Sequence, residues 1–329
     1  MEEKRFKVLG IGNAIVDIIA EVEDSFLDKN SMEKGIMQLI DEEDADKLHK
    51  EIIEVKLSSG GSVANTISGL ALLKNKVAFI GKTGKDRYGD FFAEELAKLR
   101  VEYFRNDLSL SKPTARCIIL TTPDAERTMN TCLGISSELN PDDIDIPLVK
   151  DSNLLYLEGY LWDQDPAKKA FLKAIDTCRK NGGEVSMSLS DPFCVDRHRK
   201  EFMELFNDHL DIVFANQMEI LSLFETDDFE KAIKSCQDSG ILCIITRSEH
   251  GSIILKGASK IEIDAVSPEK VIDTTGAGDL YAAGFLHGYV NGRDLQTCGK
   301  LASLIASEAV SHFGARPEKD LEHIIRGLL

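Results

Sequence analysis

Short apolar runs rich in β-branched residues alternate along this chain with longer amphipathic segments. Six runs have the length of a strand, at residues 8–11, 77–80, 154–157, 185–189, 212–214 and 241–246. Helical periodicity marks segments between them, at residues 63–73, 88–99, 166–181 and 229–238. Strands buried on both faces carry such continuous apolar runs, and helices connect them to parallel neighbours. The alternation therefore predicts a three-layer α/β/α fold with a mostly parallel central sheet.

Two regions, residues 15–40 and 103–133, interrupt this alternation. They contain strand-like runs broken by polar residues, with no helical segment between neighbouring runs. We expect antiparallel strands that form a small sheet beside the main domain, in the position of a lid; a pair of edge hairpins without a moving part is the alternative. The large domain then comprises residues 1–14, 41–102 and 134–329.

The charge of the chain limits its partners. Its 329 residues include 39 basic and 56 acidic side chains, which gives a formal net charge of −17. Such a charge repels nucleic acids and anionic membranes at long range, so we expect small-molecule ligands and neither of those partners. An anionic substrate would require a local positive site, which a helix N-terminus supplies without changing the net charge. A monomer and a homodimer both stay open.

Cysteine usage and hydropathy predict a cytoplasmic location. The seven cysteines are scattered and include no Cys-x-x-Cys pair, which is typical of a reducing compartment and indicates neither zinc nor redox chemistry. We find no apolar core of a signal peptide near the start, and no later apolar stretch has the length of a membrane span.

A glycine-rich turn, Asp-Thr-Thr-Gly-Ala-Gly-Asp at residues 273–279, leads directly into an apolar helical run. The backbone N–H groups of Gly276, Ala277 and Gly278 would lack helical partners there, and the helix dipole adds positive charge, so an anion fits. Asp279 in the first turn would accept a proton from a hydroxyl beside that anion. This arrangement indicates phosphoryl transfer; a tight turn with an acid that merely favours the helix N-terminus is the alternative.

A second glycine pair precedes another apolar helix. Gly60 and Gly61 carry no side chains, so a ligand can approach the backbone closely, and Asn65 offers both a donor and acceptors. Sugar hydroxyls would suit this loop. The alternative is that Ser62 simply caps the helix.

Three further side chains are candidates for contact with substrate. Asn13 and Asp17 lie four residues apart just after the first strand and would bind hydroxyl groups, unless they are surface residues. Arg127 lies on a strand of the second insert and would reach substrate or phosphate if the inserts close over a site. An exposed ion pair with Glu126 is the alternative for this arginine.

Asn216 and Glu219 follow the apolar strand at residues 212–214 and bring an amide and a carboxylate to its carboxyl end. Magnesium with its waters is the ligand that we expect for them, and helix capping by Asn216 is compatible with that role. Other phosphate-binding signatures are incomplete. A dinucleotide fingerprint fails because Ile15 replaces its third glycine, and a Walker A loop fails because Lys76 replaces its first.

In this order, the motifs at residues 60–65, 81–89, 216–219 and 273–279 resemble the PfkB, or ribokinase-like, family of carbohydrate and nucleoside kinases. The resemblance covers nearly the whole chain. It implies a ribokinase-like core and an ATP-dependent kinase in which Asp279 is the base toward a primary alcohol. It also implies an anion hole at residues 276–278 and a magnesium ion organised through water by Asn216 and Glu219.

Two further sites follow from the resemblance. Thr246 and Gly251 resemble the strand and turn that bind the nucleotide, although Ser248 stands where family members commonly carry glycine. Many members also bind a monovalent cation, such as potassium, near the positions of Asp273 and Thr275, with carbonyl ligands from a loop like residues 312–314.

Within the family, the start of this chain and the strand with Arg127 are most similar to adenosine kinase and its bacterial relatives. Our hypothesis is transfer of the ATP γ-phosphoryl group to the 5′-hydroxyl of adenosine or a similar ribonucleoside. The side chains and backbone that would hold the ribosyl group are those of Asn13, Asp17, Gly60, Gly61 and Asn65. A kinase of free sugars and a non-catalytic nucleotide-binding protein are the alternatives.

Overall fold

The computed structural model describes residues 4–105, 112–124 and 126–328. Within them the chain forms fourteen strands and twelve α-helices. The strands are β1 (Phe6–Ile11), β2 (Ile15–Glu21), β3 (Met37–Leu39), β4 (Lys56–Gly60), β5 (Val77–Ile80), β6 (Glu102–Phe104), β7 (Ala115–Thr121), β8 (Arg127–Cys132), β9 (Ser152–Glu158), β10 (Glu184–Ser188), β11 (Ile212–Asn216), β12 (Leu242–Thr246), β13 (Ser252–Lys256) and β14 (Ser259–Ile263). The helices are α1 (Asp24–Lys29), α2 (Glu42–Glu51), α3 (Ser62–Leu72), α4 (Arg87–Lys98), α5 (Ile146–Lys150), α6 (Asp165–Lys180), α7 (Pro192–Asp208), α8 (Gln217–Leu223), α9 (Phe229–Ser239), α10 (Ala277–Val290), α11 (Leu295–Ala309) and α12 (Leu321–Ile325).

The large sheet has nine strands in the order β14-β13-β12-β11-β10-β9-β1-β5-β6. The seven strands from β12 to β6 are parallel, and β13 and β14 continue the sheet as antiparallel strands. Alternate residues of β9 serve opposite faces: Leu155 and Leu157 belong to one buried cluster with Phe171, whereas Tyr156 belongs to another with Phe285. Helices therefore cover both faces, and the predicted three-layer fold is confirmed. None of the described helices has both the length and the apolar character that crossing a bilayer requires.

Helix α10 is apolar on every side because other elements surround it, as a fully buried helix requires. Close packing on two neighbours depends on glycine. A Cβ atom at Gly284 would lie 2.7 Å from the Cα of Ala302 in α11, and one at Gly69 in α3 would lie 2.8 Å from the Cβ of Ala283. This packing fixes the N-terminus of α10 beside the N-terminal half of α3.

The small sheet has the strand order β3-β8-β7-β2-β4, and its pairing is mixed. We predicted antiparallel strands only, but β2 runs parallel to β7 and β3 runs parallel to β8. The expected absence of a helix in the first insert is also wrong, because α1 lies between β2 and β3.

Two strands lie on the other side of the predicted domain boundaries. Strand β4 pairs with β2 in the small sheet, although its residues were assigned to the large domain. Strand β6, part of which was assigned to the small domain, pairs with β5 in the large sheet. The sequence of β4, Lys-Leu-Ser-Ser-Gly, contains one large apolar residue and therefore lacks the signal of a buried strand. Residues 106–111 and 125 of the second insert lie outside the described residues.

The turn between β12 and β13 adopts left-handed backbone geometry at two positions. Gly251 has a φ of +75°, and a Cβ atom there would lie 1.9 Å from the carbonyl oxygen of Ile263. Ser248 has a φ of +51°, so this serine occupies a conformation that only glycine adopts without cost. The turn that the family builds with glycine therefore forms here with a strained serine.

We expect the substitution Ser248→Gly to stabilise the protein by roughly 0.5–1 kcal/mol, because relief of the left-handed strain exceeds the entropy that glycine loses on folding. Urea unfolding monitored by circular dichroism measures this difference. Ser248→Ala is the control, since alanine retains the Cβ atom and should bring no gain. Equal stability of the two variants would contradict this account of the turn.

Candidate active site

The N-terminus of α10 is open to a ligand. Gly276 is its N-cap residue, with a φ of +78°, and no described side chain caps this end. A Cβ atom at Gly276 would lie 2.4 Å from the Cβ of Ala315, whereas one at Gly278 would meet no atom within 4 Å. The amide of Ala277 donates to the carbonyl oxygen of Thr274 at 3.2 Å. The anion-binding role that we predict for this turn therefore falls mainly to the glycines.

The carboxylate of Asp279 connects the two glycine motifs. Ser62 donates its hydroxyl to one oxygen at 2.6 Å, and Asn65 donates its amide to the other at 2.9 Å. Burial raises the pKa of Asp279 to about 6, although these two hydrogen bonds and the charge of Arg316 act in the opposite direction. The alternative of capping by Ser62 is wrong. The N-cap residue of α3 is Gly61, and no side-chain hydrogen bond caps this helix.

Glycine is required at residues 60 and 61 by the close approach of neighbouring groups. A Cβ atom at Gly61, whose φ is +98°, would lie 2.1 Å from the carbonyl oxygen of Asn13. One at Gly60 would lie 2.6 Å from a carboxylate oxygen of Asp17. The loop therefore places the backbone directly against two of the predicted substrate-binding residues.

Asn13 is held by Glu158, a buried residue that the sequence reasoning missed. Glu158 ends β9, and its carboxylate accepts the side-chain amide of Asn13 at 2.6 Å and the backbone N–H groups of Asn13 at 3.2 Å and Val63 at 3.0 Å. Burial raises its pKa to about 7 despite these bonds. An acid immediately after the apolar run at residues 154–157 was the available signal.

Two buried amide oxygens lack a hydrogen-bond partner in the part of the chain that the structure describes. The Oδ1 atoms of Asn13 and Asn65 make no hydrogen bond to any described residue, while both side-chain nitrogens donate to carboxylates. A buried acceptor without a partner is costly, and a ligand that brings hydroxyl groups would satisfy both. This pattern favours a polyol ligand beside Asp279.

Asp17 lies within strand β2 rather than after a strand, and its side chain is only partly exposed. Burial raises the pKa of its carboxyl group to about 7. The charges of Arg316 and Arg127 act in the opposite direction, and those of Asp273 and Asp279 add to the rise. Surface exposure, the alternative for Asp17, is therefore wrong.

Arg127 does not pair with Glu126. Its guanidinium forms a buried ion pair with Asp273 of the glycine turn and lies 5.5 Å from the ring centre of Phe313. The Nε atom of Arg127 is buried and makes no hydrogen bond within the described part of the chain. Arg127 thus joins the small sheet to the glycine turn and keeps one donor for a ligand.

The expected potassium site does not fit the arrangement around Asp273. One carboxylate oxygen accepts from Arg127 and from the amide of Gly314 at 2.8 Å, and the other accepts from the amide of Thr275 at 3.0 Å. The hydroxyl of Thr275 lies 3.5 Å from the same guanidinium. The guanidinium of Arg127 therefore lies where potassium was expected.

Asn216 and Glu219 form a reciprocal capping box at the start of α8. The side chain of Asn216 accepts the amide of Glu219 at 2.9 Å, and Glu219 accepts the backbone amide of Asn216 at 3.0 Å. Burial and the nearby charge of Asp191 raise the pKa of Glu219 to about 7. Two acids at the carboxyl ends of neighbouring parallel strands suit a hydrated divalent cation, so these residues fit magnesium. Among the described residues no group of three His, Cys, Asp or Glu side chains forms a metal site.

Thr246 ends β12 beside β11, and its hydroxyl lies 3.5 Å from the carbonyl oxygen of Ala215. Together with the turn at Gly251, it lies on the same edge of the sheet as Asn216, its registered partner in β11. This edge carries the carboxyl ends of the parallel strands, where α/β folds bind their ligands.

Comparison with known proteins identifies the family. The model of the pfkB family carbohydrate kinases matches residues 30–321. The chain belongs to this family. Its members are phosphotransferases that act on a hydroxyl group, so the predicted enzyme class is confirmed.

Two solved structures match almost the whole chain. A probable sugar kinase from Rhizobium etli is 44% identical, with a TM-score of 0.92, and the match covers 99% of this chain and 100% of that one. Adenosine kinase from Sinorhizobium meliloti is 43% identical, with a TM-score of 0.90 and the same coverage. Adenosine kinase from Saccharomyces cerevisiae is 26% identical over 92% of this chain and 94% of its own length.

The raised pKa of Glu158 predicts a pH-dependent loss of stability. Because the folded pKa of about 7 exceeds the ordinary glutamate pKa of 4.5, the folded state binds the proton more tightly, and stability falls as pH rises through that window. Glu158→Gln stays neutral and avoids this loss, which is on the order of 3 kcal/mol above pH 7. Asn13 can rotate its amide to accept from the new side chain.

Urea unfolding at pH 5 and pH 8 measures this effect. We expect the stability of Glu158→Gln relative to the unmodified protein to increase between the two pH values. Glu204→Gln, at an exposed position of α7, is the control and should show no such change. The assignment to Glu158 is wrong if both variants behave alike.

Proposed function

We propose that this protein transfers the γ-phosphoryl group of ATP to the 5′-hydroxyl of adenosine or a similar ribonucleoside. The observation that carries the proposal is the position of Asp279. Its carboxylate lies in the first turn of α10, next to an uncapped, glycine-lined helix N-terminus, and is oriented by Ser62 and Asn65. Base, anion site and hydroxyl-binding groups therefore meet at one point.

Asp279 acts as the base for the acceptor hydroxyl. The two hydrogen bonds fix its orientation, and its pKa of about 6 keeps it ionised at neutral pH. Because phosphoryl transition states are usually loose, the carboxylate orients the hydroxyl and accepts its proton late in the reaction. The side chain therefore acts mainly by positioning.

The ribosyl hydroxyls bind opposite this base. The buried Oδ1 atoms of Asn13 and Asn65 accept from them, Asp17 accepts from another, and the side-chain-free loop at Gly60 and Gly61 allows the sugar to lie against the backbone. Glu158 keeps Asn13 in the orientation that exposes its oxygen. Free acceptors for several hydroxyls support a sugar-bearing substrate.

The phosphates of ATP bind at Gly276 and Gly278, where the helix dipole favours negative charge. Asn216, Glu219 and Asp191 would hold magnesium through water, and the ion would supply charge neutralisation for the phosphates. Thr246 and the turn at residues 248–251 border the remainder of the nucleotide. The Nε donor of Arg127 contacts substrate or phosphate from the small sheet, which excludes water when it covers the site.

The face of the small sheet that carries Asp17 favours a nucleoside over a free sugar. Strand alternation and register place Ile19, Cys117, Ile119 and Met129 on the face that carries Asp17. The same face also carries the polar side chains of Arg127 and Thr131. A polar sugar with an attached flat base matches this combination of polar groups and apolar side chains better than a free sugar does. The likeness to adenosine kinases supports the same choice.

A panel assay tests the substrate. With ATP and magnesium, we expect turnover of adenosine, guanosine or inosine to exceed that of ribose and fructose, because only nucleosides use the apolar face of the small sheet. Formation of ADP and of the phosphorylated product should be measured together. Turnover of free sugars alone would establish the sugar-kinase alternative, and nucleoside binding in a thermal-shift assay without any product would establish the non-catalytic one.

Asp279→Asn should lower kcat by about 10²–10⁴-fold, because an amide cannot accept the proton of the hydroxyl. Asp294→Asn is a matched control, since Asp294 is the N-cap residue of α11 and asparagine caps a helix equally well. Circular dichroism should show that both variants fold. A kcat for Asp279→Asn equal to that of the control would remove Asp279 from the mechanism.

A further inference from the structure

We infer that the guanidinium of Arg127 takes the place of a monovalent cation at the glycine turn, so that neither this turn nor the reaction depends on potassium. The geometry of the ion pair carries this inference, and only its activity test rests on the proposed kinase function. It also assigns Arg127 a role that is independent of any contact with substrate.

Two of the residues expected to bind potassium, Asp273 and Thr275, already contact Arg127. Three donors bind the carboxylate of Asp273: the Arg127 guanidinium, the amide of Gly314 and the amide of Thr275. The guanidinium also approaches the hydroxyl of Thr275, which is the second residue expected at the cation site. A potassium ion would have to displace Arg127 to reach this carboxylate.

Because the Arg127–Asp273 pair is buried, water cannot take the place of the cation beside Asp273. The side chains of Arg127 and Asp273 are 9% and 5% exposed, so neither charge can be neutralised by bulk water. Removal of one partner from such a pair leaves an uncompensated buried charge, which is strongly destabilising. A cation must therefore lie beside Asp273, and in this chain that cation is the side chain of Arg127 in β8.

Neighbouring carboxylates increase the need for a cation beside Asp273. Asp17 interacts electrostatically with Asp273 and Asp279, so three carboxylates lie near one another. Arg127 and Arg316 are the arginines whose charges offset that of Asp17. Without Arg127, one arginine would face three carboxylates, and a small cation at Asp273 would relieve the repulsion.

A second arginine of the small sheet allows the proposed role of Arg127 to be distinguished from that of an ordinary ion pair. Arg116, on the neighbouring strand β7, forms an ion pair with Asp46, whose side chain is 58% exposed. Water can hydrate Asp46 if Arg116 is removed, so no cation needs to replace this arginine. Arg116 is therefore a matched control for the loss of an arginine from the same sheet.

The experiment compares thermal unfolding of the full chain in potassium chloride and in tetramethylammonium chloride at matched ionic strength. The unmodified protein should have the same Tm in both salts. R127M should have a lower Tm in tetramethylammonium, and potassium should raise that Tm by about 2–4 °C, as expected for weak binding of a cation to the folded state alone. R116M and the double variant R127M/D273N should show no response to potassium.

Activity adds a second measurement once a substrate is identified. The rate of the unmodified protein should be equal in the two salts within about twofold, whereas R127M should be faster in potassium. A Tm or a rate of the unmodified protein that rises specifically with potassium would overturn the inference, and so would a folded R127M without a response to potassium. If R127M does not fold, R127K retains one charge and should be insensitive to potassium. Absence of turnover would count against the proposed function alone, because the Tm comparison does not require it.

Discussion

The hydrogen bonds between α3 and the carboxylate of Asp279 are the interaction on which the site depends. Ser62 and Asn65 can reach Asp279 only because α3 and α10 pack closely, with Gly69 against Ala283 and buried apolar residues around them. A larger residue at this crossing would move Asp279, the proposed base, away from the loop that carries the proposed substrate-binding groups. Core packing and the geometry of the proposed site are thus one constraint here, since the same helices that fill the core hold the groups around Asp279 in place.

Glycine plays the complementary part by allowing close approach. At Gly61 the backbone meets the carbonyl oxygen of Asn13, and at Gly276 it meets the loop that contains Ala315. Both positions have a positive φ, so a side chain would be excluded twice, by strain and by collision. The loops can therefore bring four distant parts of the chain together in two pairs without side chains between them.

Sequence reasoning located the core strands and the two glycine motifs because each carries a local signal. Buried parallel strands are continuous apolar runs. A glycine-rich turn directly before an apolar run is likewise visible in the sequence as the start of a helix. It failed where the deciding contact is long-range. Strand β4 has a polar sequence and is a strand only because β2 pairs with it. Glu158 binds Asn13, which lies 145 residues away in the sequence, and the partner of Arg127 lies 146 residues away. Asp191 raises the pKa of Glu219, which follows a different strand. No local pattern indicates such a pairing.

Charge explains why those long-range contacts are required. The chain carries a net charge of −17, yet its proposed phosphate donor, ATP, is itself an anion, so the carboxylates of the site would repel it. Burial raises the pKa values of Asp17, Glu158, Glu219 and Asp279, and the crowding of acids adds to the rise at the first three. The structure offsets it with fixed local sources of positive potential: the uncapped end of α10 and the arginines drawn in from β8 and from the loop after α11. Because Arg127 comes from the small sheet and Asp273 from the large domain, the positive charge at the glycine turn is complete only when the two are in contact. Under the proposed function, contact between the small sheet and the glycine turn is therefore also part of the anion site.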